Sequence, residues 1–235
     1  MTKLAKLWLN EIVNDTYRRF YFKVLGIYLD NLLFELFGGK NSLKSIYGTV
    51  YNRFFRTTFK GALNLYYPPK AYNEIIVSGL FHDKQGELET HKYFPTHICR
   101  VMEDNRVHFN LDKVCFVESN HNDEPNYKGE SQLIQLTDIL AGSISQCFDL
   151  SSLDDGKNEV AKVILPLLKR IMEQKPRRRS RYDFFHKYDV SFFPRDKLTK
   201  DEFLNIYSRA KDKFFKNRRL LLEEYLSGQL RMKLD

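Results

Sequence analysis

Three carboxylates fall where acids could handle a phosphodiester: Asp83, Glu118 and Asp138. Asp138 lies in Glu130-Ser-Gln-Leu-Ile-Gln135-Leu-Thr-Asp138-Ile-Leu-Ala-Gly142, where Leu133, Leu136, Ile139, Leu140 and Ile144 follow helical spacing. A charge at the margin of such a stripe is costly unless it is paired, hydrogen-bonded or metal-bound. Its plainer role is a boundary acid capping a neighbouring loop. Gly142, one turn on, costs helix stability unless something must approach the backbone closely. Asp83 follows an expected strand and Glu118 closes another, and in α/β sheets functional groups gather at the carboxyl ends of strands. The three acids are therefore expected within reach of one another. Carboxylates packed together raise each other's pKa unless a cation compensates. The expected cation is Mg²⁺ or Mn²⁺, hard ions that prefer oxygen ligands.

The elements that must position these acids can be traced along the chain. Arg18 to Leu29 is aromatic and branched, as a buried strand is. After Gly38-Gly39, residues 43–65 place Ile46, Val50, Phe54, Phe55, Phe59 and Leu63 at helical spacing, and Tyr67-Pro68-Pro69 stops that helix. Asn73 to His82 is a second strand and Lys113 to Glu118 a third. Leu88 to Asp104 between them is helical, with Pro95 marking a break or a restart. Ser119 to Gly129 is a polar loop before the Asp138 helix, which runs to about Phe148. Strand, helix, strand, helix, strand, helix predicts an α/β sandwich.

The C-terminal third differs in charge. Residues 157–235 hold 21 Lys+Arg against 11 Asp+Glu, a net of +10, within a chain whose total is +8. Residues 1–156 therefore carry −2, and all the basic excess lies in the last third. The asymmetry favours a nucleic-acid partner over a membrane, since no basic amphipathic anchor accompanies it. The plain alternative is a solvated charged face. Arg177, Arg178, Arg179 and Arg181 form a basic loop suited to a phosphate backbone, and Tyr182, Phe184 and Phe185 beside it could stack on bases. Ile164 to Met172 reads as helical. Thr199-Lys-Asp-Glu202 is a capping box that opens a long helix, with Leu198 and Phe203 placed for the hydrophobic staple.

No apolar run reaches the roughly 18 residues of a membrane span. The N-terminus lacks the apolar core of a secretory signal. Cys99, Cys115 and Cys147 are odd in number and too scattered for a zinc site, as expected of reduced, mostly buried thiols in a cytoplasmic protein. Trp8 is expected to be a packing anchor. His82, beside Asp83, reads as a strand-end surface histidine with an acid–base or ligand role as the alternative. The remaining histidines form no motif, and no Ser-His-Asp order or Gly-rich phosphate loop is present.

Gln135-Leu-Thr-Asp138-Ile-Leu-Ala-Gly142 resembles the Gln-Leu-x-Asp-Leu-x-x-Gly signature of the domain of unknown function 3800 family, a bacterial and phage family with a ribonuclease-H-like fold. Val117-Glu118-Ser119 is similar to its acid-Ser strand end, Tyr51-Asn52-Arg53-Phe54 to its Tyr-Asn helix start, and Val190-Ser-Phe-Phe-Pro194 to its terminal aromatic-Pro segment. The resemblance spans roughly residues 1–210. It implies a metal-dependent nuclease in which Asp138 is the best-matched acid, Glu118 the next, and Asp83 a looser match, together holding Mg²⁺ or Mn²⁺.

The family opens on a strand ending Asp-Glu-Ser-Gly, which carries the acid that bridges both metals. Residues 1–29 contain no Asp-Glu-Ser-Gly segment, so that strand is expected to be missing. Asp30 could substitute only in a rearranged sheet. Strands 18–29 and 73–82 would lack their usual neighbour, leaving backbone groups unpaired and an edge that a partner strand or a second copy could complete. The expectation is a ribonuclease-H-like α/β domain over residues 1–156, N-terminally incomplete, with a basic helical extension over 157–235. Its function is expected to be metal-dependent nucleic-acid cleavage, or binding by a nuclease-derived protein. The alternative is a non-catalytic assembly subunit, favoured over an autonomous enzyme by the missing acidic strand.

Overall fold

Local sequence accounts for most of the elements. Strand β1 (Phe22–Ile27) lies within the first aromatic, branched run. Helix α2 (Leu43–Tyr66) ends at Pro68-Pro69. Strands β2 (Ile75–Val77) and β3 (Phe81–Asp83) share the second strand segment, separated by Ser78-Gly79-Leu80. The restart at Pro95 is real: α3 (Gly86–Glu89) gives way to α4 (Phe94–Met102). Pro95 occupies the first turn of α4, where a missing N–H does no harm, and the Nδ1 of His91 accepts from the Phe94 N–H at 3.1 Å. Strands β4 (Val107–Phe109) and β5 (Cys115–Val117) follow, then α5 (Lys128–Asp149), α6 (Asp155–Glu173), β6 (Tyr188–Phe193) and α7 (Lys200–Arg231). A further helix, α1 (Thr2–Val13), precedes them all. This computed structural model describes residues 2–15, 20–28, 32, 43–92, 94–103, 105–120, 122, 126–173, 188–194 and 198–231.

The architecture is mixed α/β with small parallel sheets. Its strands form three two-stranded pairs among the described residues: β1 with β6, β2 with β4, and β3 with β5. The last two pairs are successive stretches of the same two segments. Ile75 lies opposite Val107 but Phe81 lies opposite Cys115, so the β4–β5 segment carries two more residues between its strands than the β2–β3 segment does. That mismatch interrupts the ladder. The expected lack of a neighbour for strand 18–29 is met from the far end of the chain, by β6.

The chain divides into two units, and the division does not follow residue 156. One unit comprises Tyr17–Thr137 and Arg178–Lys197; the other comprises Met1–Thr16, Asp138–Arg177 and Leu198–Asp235. Two contacts explain why. The β1–β6 ladder draws residues 188–193 to the sheet-bearing unit, and α1 packs on α6 in the helical one.

The sheet-bearing unit has its core between α2, α4 and the short strands. Phe94 and Ile98 are fully buried there with Leu63, Leu88, Val107 and Val114, and Tyr51, Phe55, Phe59 and Phe116 pack around them. In the helical unit Leu9, Ala161, Ile164, Leu167 and Ala210 are buried to within 1%. Lys213 donates to the Ser152 carbonyl at 2.8 Å and also to Leu150, which satisfies carbonyls just past the C-terminus of α5. The capping box on α7 is formed: Thr199 Oγ1 accepts from the Glu202 N–H at 3.2 Å, and the Glu202 carboxylate accepts from the Thr199 N–H at 2.8 Å.

Glu159 on α6 accepts from Lys162 and, at 3.0 Å, from Lys6 on α1. These hydrogen bonds hold its carboxyl down at about 2. A pKa below the unfolded value contributes stability above the ordinary carboxylate pKa of about 4.3, lost as pH falls toward 2. Both Lys6 and Glu159 are well exposed, so the contribution is at most about 1 kcal/mol. Glu159→Gln is expected to lower the urea midpoint at pH 7, with the gap to the parent closing as pH approaches 2. A gap independent of pH would refute this origin.

The thiols of Cys99 and Cys147 are buried and that of Cys115 is half-buried, all three without a disulfide. Burial pushes the Cys147 thiol up to about 12, so it is an inert packing group. Among the described residues no helix is long and apolar enough to cross a membrane.

Candidate functional site

The parallel pairing of β3 with β5 decides where two of the three acids go. Asp83 is opposite Val117, so Asp83 and Val117 share one face of the pair, while alternation sends Lys84 and Glu118 to the other. The ladder continues through the Lys84 N–H, which donates to the Val117 carbonyl at 3.0 Å. The Lys84 ammonium sits 2.9 Å from Glu118 Oε1, as that alternation requires. Asp83 and Glu118 are neighbours along the sheet but do not converge on one point. Asp138 is exposed on α5 and belongs to the helical unit. Among the described residues no three His, Cys, Asp or Glu side chains are grouped to hold a metal ion. The side chains of Asp83 and Glu118, on opposite faces of the strand pair, do not fit a shared two-ion site.

The signature helix has a structural task. Ser131 Oγ donates to the Glu118 carbonyl at 2.6 Å, and Gln135 Nε2 donates to the Ser119 carbonyl. Ser131 and Gln135 are four residues apart on one face of α5 and tie its first turns to the end of β5. Gln135 thus satisfies a backbone acceptor just beyond a strand. At Gly142 an added Cβ would meet nothing within 4 Å. No close approach requires the glycine, so Gly142→Ala is expected to raise stability by about 1 kcal/mol. A rise in thermal midpoint checks it; a fall would reveal an unseen neighbour.

His82 is not a surface histidine. It is 7% exposed, because α2 and α4 place the rings of Tyr51, Phe55 and Phe94 around it and the paired strand β5 adds that of Phe116. Its Nδ1 lies 2.6 Å from the Asp83 carbonyl, which can only accept, so Nδ1 carries the proton. In the neutral ring Nε2 then accepts from the Tyr51 hydroxyl at 2.5 Å. Tyr51 and His82 together pin α2 to β3. Tyr51→Phe would leave a buried acceptor without its donor, at a cost of about 1–2 kcal/mol. A urea midpoint equal to that of the parent would contradict this.

The feature with binding chemistry lies on another face of α2. Between Leu43 and Tyr66 the helix carries Lys44, Arg53, Arg56 and Lys60 and no acid. Arg53, Arg56 and Lys60, spaced three and four apart, fall on one face. They line a cleft of about 460 Å³ with Phe54, Thr57, Met102 and Phe193. The Phe54 and Phe193 rings meet edge to face at 5.0 Å, which joins the Tyr51–Phe54 and Val190–Pro194 segments. Arg56 and Lys60 have no carboxylate partner among the described residues, and the buried Arg56 Nε has no hydrogen-bond acceptor there. Uncompensated cations beside aromatic rings in a concave surface suit a polyanion. The local signal was legible: a helix of 24 residues with four cations and no acid. The aromatic periodicity of the same segment obscured it.

The basic loop at Arg177, Arg178, Arg179 and Arg181 lies outside the described residues, as do Asp30, Tyr182, Phe184 and Phe185. Compared with known proteins, the chain matches no family model, no curated protein and no solved structure.

Proposed function

We propose that this chain is a nuclease-derived, ribonuclease-H-like nucleic-acid-binding protein that holds the phosphate backbone along α2. The observation that carries the proposal is the presence of Arg56 and Lys60, without carboxylate partners among the described residues, in one cleft with Phe193. Cations left without internal partners retain their full attraction for an external anion. The net of +10 over residues 157–235 adds positive charge that helps recruit a polyanion. The nuclease-derived part of the reading is supported by the likeness of Gln135–Gly142 to the family signature. The divergence of Asp83 and Glu118 favours binding over hydrolysis with Mg²⁺ or Mn²⁺.

Fluorescence anisotropy with labelled DNA and RNA, titrated at increasing salt, tests the proposal. Two to three phosphate contacts correspond to a log–log slope of about −2 on single strands. A flat salt dependence would overturn backbone binding. Parallel incubation with Mg²⁺ or Mn²⁺ is expected to leave the substrates intact. Cleavage abolished by Asp138→Ala would instead establish an enzyme.

A second reading, completion by a protein strand, rests on the two-stranded sheets. Each strand has one ladder neighbour among the described residues, and an open edge can accept another strand. A stable dimer in light scattering would support strand exchange between copies.

A further inference from the structure

We infer that the α2 cleft selects unpaired strands, with one nucleobase laid on Phe193 and the adjoining phosphates held by Arg56 and Lys60. The inference rests on the binding role proposed for α2 and names the form of nucleic acid it takes.

Phe193 closes β6, and its carbonyl accepts from the Tyr28 N–H at 3.1 Å, so its backbone is fixed against the β1 end. Its neighbour Phe192 is buried, whereas Phe193 is 38% exposed. The edge-to-face contact with Phe54 steadies the ring without covering it. A single exposed aromatic is ordinary on a protein surface. This one is not isolated, because Arg53, Arg56 and Lys60 line the same concavity and Met102 completes its apolar part. The volume of about 460 Å³ lies within the range of small-ligand sites, commensurate with a nucleotide unit.

The two chemistries of the cleft separate the forms of nucleic acid. Cations attract the phosphates of a duplex and of a single strand alike. An aromatic ring gains only from a base whose π face is free, and in a duplex those faces are stacked on one another. Every base has such a face, so the selectivity is for unpaired strands, not for sequence.

The test uses the full chain and three labelled ligands: a single strand of about 12 nucleotides, the same backbone built from abasic units, and a duplex. The parent is expected to bind the base-bearing strand about tenfold more tightly than the abasic one. Phe193→Ala should lose that tenfold on the base-bearing strand and leave abasic and duplex affinities unchanged. Phe193→Tyr keeps a stacking ring and should bind as the parent does. Equal binding of base-bearing and abasic strands by the parent would overturn stacking while α2 backbone binding stands. Losses in Phe193→Ala that are equal on all three ligands, or absent, would do the same. No binding of any ligand would overturn both. Should Phe193→Ala fail to fold, the parent's two single-strand affinities decide the outcome.

Discussion

The double substitution Arg56→Gln with Lys60→Gln is expected to weaken nucleic-acid binding about 100-fold at low salt, from roughly 1.5 kcal/mol for each charge-assisted contact. The salt dependence should change with it. Each phosphate contact on a single strand contributes about −0.7 to the log–log slope, so losing two makes the slope shallower by about 1.4. This second readout separates loss of contacts from general damage, because a misfolded protein loses affinity without a defined change of slope. Damage is not expected. Neither side chain has an ion pair to lose among the described residues, and Gln is nearly as good a helix former as Arg and Lys. An unchanged slope measured by anisotropy would show that the phosphates lie elsewhere, with the arginines at 177–181 the next candidates.

The largest effect on stability is expected from Phe94→Ala, about 4 kcal/mol. Phe94 is 0% exposed. Its ring meets Tyr51 at 5.6 Å, Phe55 at 5.4 Å, His82 at 5.3 Å and Phe116 at 6.0 Å, so α2, β3 and β5 all touch this one side chain of α4. Truncation removes that apolar surface and leaves a cavity walled by rigid rings that cannot collapse into it. Because the Tyr51–His82 hydrogen bond is enclosed by the same rings, its loss couples to the cavity. Tyr51→Phe and Phe94→Ala together should therefore cost less than the sum of the two. Urea unfolding followed by circular dichroism checks both statements. A midpoint for Phe94→Ala within error of the parent would place the cohesion of this unit elsewhere.

Among the elements, helices were the most legible. Residues 43–65, the Asp138 helix, the Pro95 restart and the Thr199 capping box all appear where periodicity and capping chemistry put them, because a helix satisfies its backbone within a few residues. Helix α1 is not evident from the sequence reading: Ala5, Leu9 and Ile12 are its buried face, but a segment of 12 residues gives a periodic pattern little room to stand out. Strand β4, three residues in Val107-His-Phe109, is too short for alternation to mark it. Asp83 and Glu118 were legible as acids at strand ends and Asp138 as an acid within a helix, but not as a group. Whether two acids converge depends on strand register, and shifting one of them by a single residue sends it to the other face.

Composition and local pattern established an α/β chain, the charge asymmetry toward the C-terminus, helices with defined starts, and a cationic helix free of acids. These depend on residues within a turn or two of each other. Tertiary structure alone settled that β1 pairs with β6, more than 160 residues away, that Glu118 turns to Lys84 and away from Asp83, and that His82 lies among aromatic rings. It also brought Phe193 to the cations of α2. Partner choice between distant segments is set by which apolar faces bury one another, and that outcome depends on the whole chain at once.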